Sequence, residues 1–166
     1  MATSLKVGDR APAFQGLTET GASLSLADFA GRKLVLYFYP MDDTPGCTRQ
    51  ACSLRDTNGE IAARGAAILG VSGQGVESHL RFSQKFQLSF PLLADTDRSV
   101  ARAYGVAGSG IGGLVRGLFG VSERVTFLID EAGKIAGIIS APDCPDHGQE
   151  VLRLIDALPE QQDRRG

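Results

Sequence analysis

Residues 33–52 read KLVLYFYPMDDTPGCTRQAC, and the architecture can be worked out from them. The first seven, Lys33 to Tyr39, are dense in β-forming side chains without polar alternation, the pattern of a strand covered on both faces. Pro40 stops that strand, because it has no N–H to donate to a ladder. Thr44 followed by Pro45 marks a helix start, a hydroxyl N-cap with proline at the first helical position. Cys47 falls near the third helical residue. Unpaired N–H groups and the positive end of the helix dipole there stabilise an anion. A thiolate is such an anion, so this position favours the reactive form. Asp42 and Asp43 act against it, and a cation from elsewhere in the fold is needed to complete the activation. The bland alternative is a small buried cysteine at a helix start.

Cys52 lies five positions further along the same helix. Five residues advance an α-helix by about 7.5 Å and turn the side chain by about 140°. A disulfide needs Cα atoms within about 7 Å. Cys47 and Cys52 therefore cannot bond while the helix is intact, and a disulfide between them requires the first turns to unwind. That separates the pair from Cys-x-x-Cys, whose spacing permits bridging without unwinding. Alternatively, Cys52 is a packed helix cysteine.

Outward from this segment, apolar runs alternate with helical stretches. Ala66–Ser72 reads as a second buried strand and Phe90–Ala94 as a weaker third. Arg124–Asp130 and Lys134–Ser140 flank Glu131-Ala132-Gly133 as a hairpin. Helices are expected at Pro45–Arg64, Val76–Gln87, Arg98–Tyr104 and about Asp146–Leu158, the last with an apolar face of Val151, Leu152, Ile155 and Leu158. The order β-α-β-α-β-α-β-β-α implies an α/β fold, a central mixed sheet flanked by helices. No repeat or linker divides the chain, so residues 1–166 read as a single domain, with 159–166 a polar tail.

Composition narrows the function. With 43% hydrophobic and 22% charged residues the chain fits an ordinary globular protein. A net charge of −2 without a basic block argues against nucleic acid. No apolar run is long enough to cross a bilayer, and the opening MATSLKVGDRAPAF has no signal-peptide core, so a cytoplasmic protein is expected. Three cysteines, Cys47, Cys52 and Cys144, cannot pair completely; thiol chemistry or metal binding is the better reading in a reduced compartment. His79 and His147 have no Cys or His at ligand spacing, which speaks against a metal. Both read as ordinary polar residues of helix starts or surfaces.

The segment resembles the peroxiredoxin active-site pattern Pro-x-x-x-Thr-x-x-Cys, met by Pro40, Thr44 and Cys47. FYPMDDTPGCTRQAC is similar to the bacterioferritin-comigratory-protein, or PrxQ, branch of that family. GDRAPAF, LADFAGRKLVLYFYP, LGVS, LLAD, YGV and ERVTFLID extend the resemblance over most of the chain. It implies a thioredoxin-like fold and an antioxidant, thiol-dependent peroxidase that needs no metal or organic cofactor. Cys47 would attack the O–O bond of a hydroperoxide and become a sulfenic acid. Thr44 would hydrogen-bond the peroxide and Pro40 would shield the site from water. Arg124 would supply the missing cation, its fork of donors stabilising thiolate and developing oxyanion. Without the resemblance Arg124 reads as an exposed strand-end residue. The amides of Gly46 and Cys47 would assist, and Gln50 matches a polar position facing the arginine. Cys52 matches the resolving cysteine, giving an intramolecular disulfide that thioredoxin or a similar dithiol reduces. A monomer or weak homodimer is expected.

Other readings stand beside this one. A thioredoxin-type reductase is disfavoured by the absence of Cys-x-x-Cys, and a redox sensor would use the Cys47–Cys52 switch to alter a partner's binding. Cys144 reads as an inert loop thiol, an alternative partner for Cys52 or a glutathionylation site. Gly108, Gly110 and Gly113 match G-x-G-x-x-G but follow a helix rather than a first strand, so no dinucleotide is expected. The stripe Ile111, Leu114, Val115, Leu118 and Phe119 reads as a lid, or as a patch for dimerisation or organic hydroperoxides.

Overall fold

The structure, a computed structural model, describes residues 3–107 and 122–158. The glycine motif, the apolar stripe behind it and the polar tail lie outside the described residues. Among the described residues, seven strands form one mixed sheet in the order β2-β1-β5-β4-β3-β6-β7. In chain order these are β1 (Gln15–Thr18), β2 (Ser23–Ser25), β3 (Lys33–Phe38), β4 (Ala66–Ser72), β5 (Leu92–Ala94), β6 (Val125–Ile129) and β7 (Ile135–Ile139). The helices among the described residues are α1 (Pro45–Ala63), α2 (Val76–Phe86), α3 (Ser99–Ala103) and α4 (His147–Asp156), with a 3-10 turn at Cys144–Asp146 leading into α4. The expected mixed sheet with flanking helices is present.

β3 is central, and every residue in it is buried. It runs parallel to β4 and antiparallel to β6, with Phe38 opposite both Val71 and Val125. Its alternate side chains feed two cores. Leu34, Leu36 and Phe38 join Val71, Tyr104 and Phe127 on one face. Val35 and Tyr37 join Cys47, Ala51, Leu54 and Val151 on the other, beneath α1 and α4. This two-sided burial is why the strand carries no polar alternation.

The β1–β2 hairpin is absent from the sequence-based expectation. Its strands have four and three residues and only Thr18 among them is buried, so no apolar run announces them. At the opposite side, the chain before β1 lies along β7. Gly8 N–H donates to the Ile135 carbonyl and Ile135 N–H to the Asp9 carbonyl, both at 2.8 Å, and Arg10 bridges Lys134.

Candidate active site

The register places the site. β3 ends at Phe38, and one further ladder bond, Tyr39 N–H to the Val71 carbonyl (3.1 Å), carries the chain to Pro40. Asp43 takes a left-handed conformation (φ 60°), one that aspartate tolerates, and so aims the chain into α1. Thr44 is the N-cap residue and Pro45 the first helical residue, as expected. The Thr44 hydroxyl does not cap, however. It donates to the Met41 carbonyl (3.0 Å) and closes the loop on itself. Pro40 is half-buried, its carbonyl facing Ser72 Oγ at 3.3 Å and Gln74 Nε2 at 3.5 Å.

Cys47 is 1% exposed and sits in the apolar cluster with Tyr37, Tyr39, Ala51 and Leu54. The first helical hydrogen bond runs from Thr48 N–H to the Thr44 carbonyl (2.8 Å), so the Gly46 and Cys47 amides have no acceptor within the helix. Because Val125 pairs with Phe38, the residue before β6 lies beyond the end of β3. That residue is Arg124. Its Nη1 donates to Gln50 Oε1 at 2.7 Å, and its Nη2 would lie 3.2 Å from a Cβ on Gly46. Glycine at 46 thus lets the guanidinium rest on the first turn of α1. Gln50 is fully buried, and its Nε2 has no partner. The Tyr37 hydroxyl, in the same cluster as Cys47, is likewise unpartnered. Burial first, and Cys47 next, hold that phenol well above its ordinary range, so it stays protonated.

Both aspartates are engaged by α2. Asp43 pairs with Lys85 at 2.9 Å on the surface. Asp42 is buried and accepts three bonds of 2.7 Å, from the Tyr39 hydroxyl, the Ser78 hydroxyl and His79 Nδ1. Burial pushes the Asp42 carboxyl up. The His79 bond and charge, with the two hydroxyls, outweigh that and hold it below the usual carboxylate range.

Both histidines lie in the first turn of a helix, as the sequence suggests, but neither is on the surface, for each is fully buried. His147 Nε2 pairs with the Thr126 hydroxyl and Nδ1 with Glu150, both at 2.8 Å; burial holds its pKa down despite Glu150. Sequence reasoning passed over His79 although it lies three and seven residues before Phe82 and Phe86, on the apolar face of α2. Among the described residues no cluster of His, Cys, Asp or Glu is arranged to hold a metal. No described helix is long and apolar enough to cross a membrane.

Cys52 is half-buried and lies on the unbroken α1 with Cys47, so the helix keeps the two apart. Cys144, on the turn packed against α1, is within electrostatic reach of Arg124 and Cys47. Burial raises its thiol pKa and Arg124 opposes the rise.

The sequence profile of the AhpC/TSA family matches residues 7–138, well over half of the chain. The chain belongs to the AhpC/TSA family. The putative peroxiredoxin bcp of Coxiella burnetii is 42% identical over 151 residues, covering 90% of this chain and 97% of its own. The crystal structure of peroxidoxin BcpB from Mycobacterium tuberculosis superposes with a TM-score of 0.81 at 32% identity, covering 93% of this chain and 98% of that one. A Xanthomonas campestris bacterioferritin comigratory protein, described by its alkyl peroxide reduction activity, matches with a TM-score of 0.78 at 30% identity, covering 93% and 98%. This AhpC/TSA member is a peroxiredoxin of the bacterioferritin-comigratory-protein and PrxQ branch, with the thioredoxin-like fold and thiol-dependent peroxidase function of that family. A sensor role is not favoured.

Proposed function

We propose that Cys47 attacks the hydroperoxide and that Cys52 resolves the product within the same chain. The observation that carries this reading is the convergence of Arg124, Gln50 and the Gly46 and Cys47 amides on the first turn of α1, beside a buried sulfur. The Cys47 thiolate attacks one peroxide oxygen, the O–O bond breaks, and the other oxygen leaves as an alcohol or water with a proton. Cys47 is left as a sulfenic acid. Arg124 balances the charge on sulfur and on the departing oxygen. The unpartnered Gln50 amide is a donor for the peroxide, the Thr44 hydroxyl becomes another by turning from the Met41 carbonyl, and Pro40 keeps water from the sulfur. Cys52 then displaces water to form the disulfide, after the first turn of α1 has unwound.

The family implies peroxide as substrate and a thioredoxin-like dithiol as reductant. The alkyl peroxide reduction of the X. campestris relative supports organic hydroperoxides beside hydrogen peroxide. We read the whole chain as one cytoplasmic, cofactor-free domain acting as a monomer or weak homodimer, which sedimentation at several concentrations tests. Peroxide consumption with a thioredoxin system tests the chemistry. Cys47→Ser should abolish turnover, and Cys52→Ser should complete one turnover and stall as sulfenic acid. Mass mapping after one equivalent of hydrogen peroxide should find Cys47 joined to Cys52. Turnover that survives Cys47→Ser rejects the assignment.

A further inference from the structure

The Asp42–His79 pair touches none of the reacting atoms, yet it is the most deeply buried ion pair among those described, with side-chain exposures of 5% and 0%. His79 is held at both ends. Nδ1 lies 2.7 Å from the Asp42 carboxylate and Nε2 lies 3.0 Å from the Leu93 carbonyl. Both neighbours are oxygen acceptors, and the ring bridges them. Leu93 belongs to β5 and is in register with Val71 of β4 and Thr18 of β1, well inside the sheet. The ring is therefore a strut from the sheet interior to the loop that carries Pro40 and Thr44.

Other bonds reach that loop too, from Ser72 and Gln74 to the Pro40 carbonyl and from the Tyr39 and Ser78 hydroxyls to Asp42, but none of them carries the Asp42 side chain to β5. Asp42 N–H donates to Gln74 Oε1 (3.1 Å), Asp43 makes an exposed pair with Lys85, and the Thr44 hydroxyl bonds only within the loop. The other boundary of the reactive segment is also anchored. Ser53 Oγ accepts from Gly148 N–H (2.8 Å), which ties α1 to α4 one residue past Cys52. Any unwinding that brings Cys47 to Cys52 is thus bracketed between Asp42 and Ser53.

We propose that His79 is a positioning residue of the peroxidase reaction, acting through Asp42 to hold the Pro40–Thr44 loop against the sheet while the first turn of α1 folds and unwinds. This rests on the reading of Cys47 as the attacking thiol. The donation to Asp42, rather than the bond to Leu93, sets where the Thr44 hydroxyl and the end of Pro40 stand relative to the sulfur. Removing it leaves a buried carboxylate short of a donor, and the loop shifts to solvate it.

Two isosteric variants separate the two ends of the ring. His79→Asn places an amide donor where Nδ1 was and keeps the Asp42 bond. His79→Gln reaches the Nε2 position and keeps the Leu93 bond. Rapid-quench alkylation with mass spectrometry gives the second-order rate constant for Cys47 oxidation by hydrogen peroxide, and thermal melts give stability. The expected result is a loss of about ten- to a hundredfold in H79Q, with H79N near wild type. Equal losses in both, or wild-type rates in both, overturn the proposal and leave His79 a role in stability alone. If H79Q does not fold, Asp42→Asn carries the test: a similar loss supports the proposal and an unchanged rate overturns it. A wild-type chain whose Cys47 resists oxidation overturns instead the assignment of the attacking thiol, so the two failures are distinct.

Discussion

Arg124 meets Gln50 through one guanidinium nitrogen and leans on Gly46 with another, a two-point contact that follows from its planar fork. Lysine has the charge but one donor centre, so it cannot span both. Arg124→Lys should therefore lower the rate of Cys47 oxidation by about a hundredfold, the loss expected for one misplaced donor at a developing oxyanion. The same variant leaves Gln50 Oε1 buried without a partner, at a cost of about 1–3 kcal/mol that a thermal melt would register. Measuring both separates chemistry from folding. Cys47, Thr44 and Pro40 could be placed from sequence because proline and threonine fix a helix start locally. Asp42 could not. Its role depends on Ser78 and His79, more than thirty residues away, and on a carboxylate facing inward.

The α1–α4 contact is governed by a missing side chain. A Cβ on Gly148 would collide with Thr57 Oγ1 and approach the Ser53 carbonyl to 2.7 Å. Gly148→Ala should thus push the helices apart, lose the Ser53 bond and destabilise the protein by about 1–3 kcal/mol, as denaturant unfolding would show. α1 itself was legible end to end, because Pro45 fixes its start and Gly65 follows its last turn. β3, β4 and the β6–β7 hairpin were legible for another reason: two-sided burial writes unbroken apolar runs into the sequence. The β1–β2 hairpin buries too little to leave such a trace. Its pairing with β5 at Leu17 and Thr18 is a tertiary fact. The expected strand to Tyr39 and the helix from Arg98 are each trimmed at the ends, the latter because Arg98 adopts φ 60° and stands outside α3 as its N-cap.

For the molecule as a whole, two buried groups give stability a pH dependence of predictable sign. His147 is held below the ordinary value of 6.5, so the folded state binds its proton less readily than the unfolded chain. Stability is full above that value and falls as pH drops from it toward the depressed folded value. His147→Asn should flatten this part of a melting-temperature profile. Asp42 is held below 3.8, so its contribution is present above that value and is lost as pH falls through the lower folded pKa. Asp42→Asn should remove this second, more acidic decline. A profile of wild type and both variants resolves the two regions.

The segment from Gly8 to Arg10 that lies along β7 has a consequence for association between chains. β7 is an outermost strand, and a bare edge offers its amides and carbonyls to any other extended chain. Here Ile135 gives both of its backbone groups to residues 8 and 9 of the same chain, so the edge is already occupied at that point. Shortening the chain past Arg10 would uncover it beside the apolar run Ile135–Ile139, and light scattering should then detect aggregation at concentrations where the full chain stays clear.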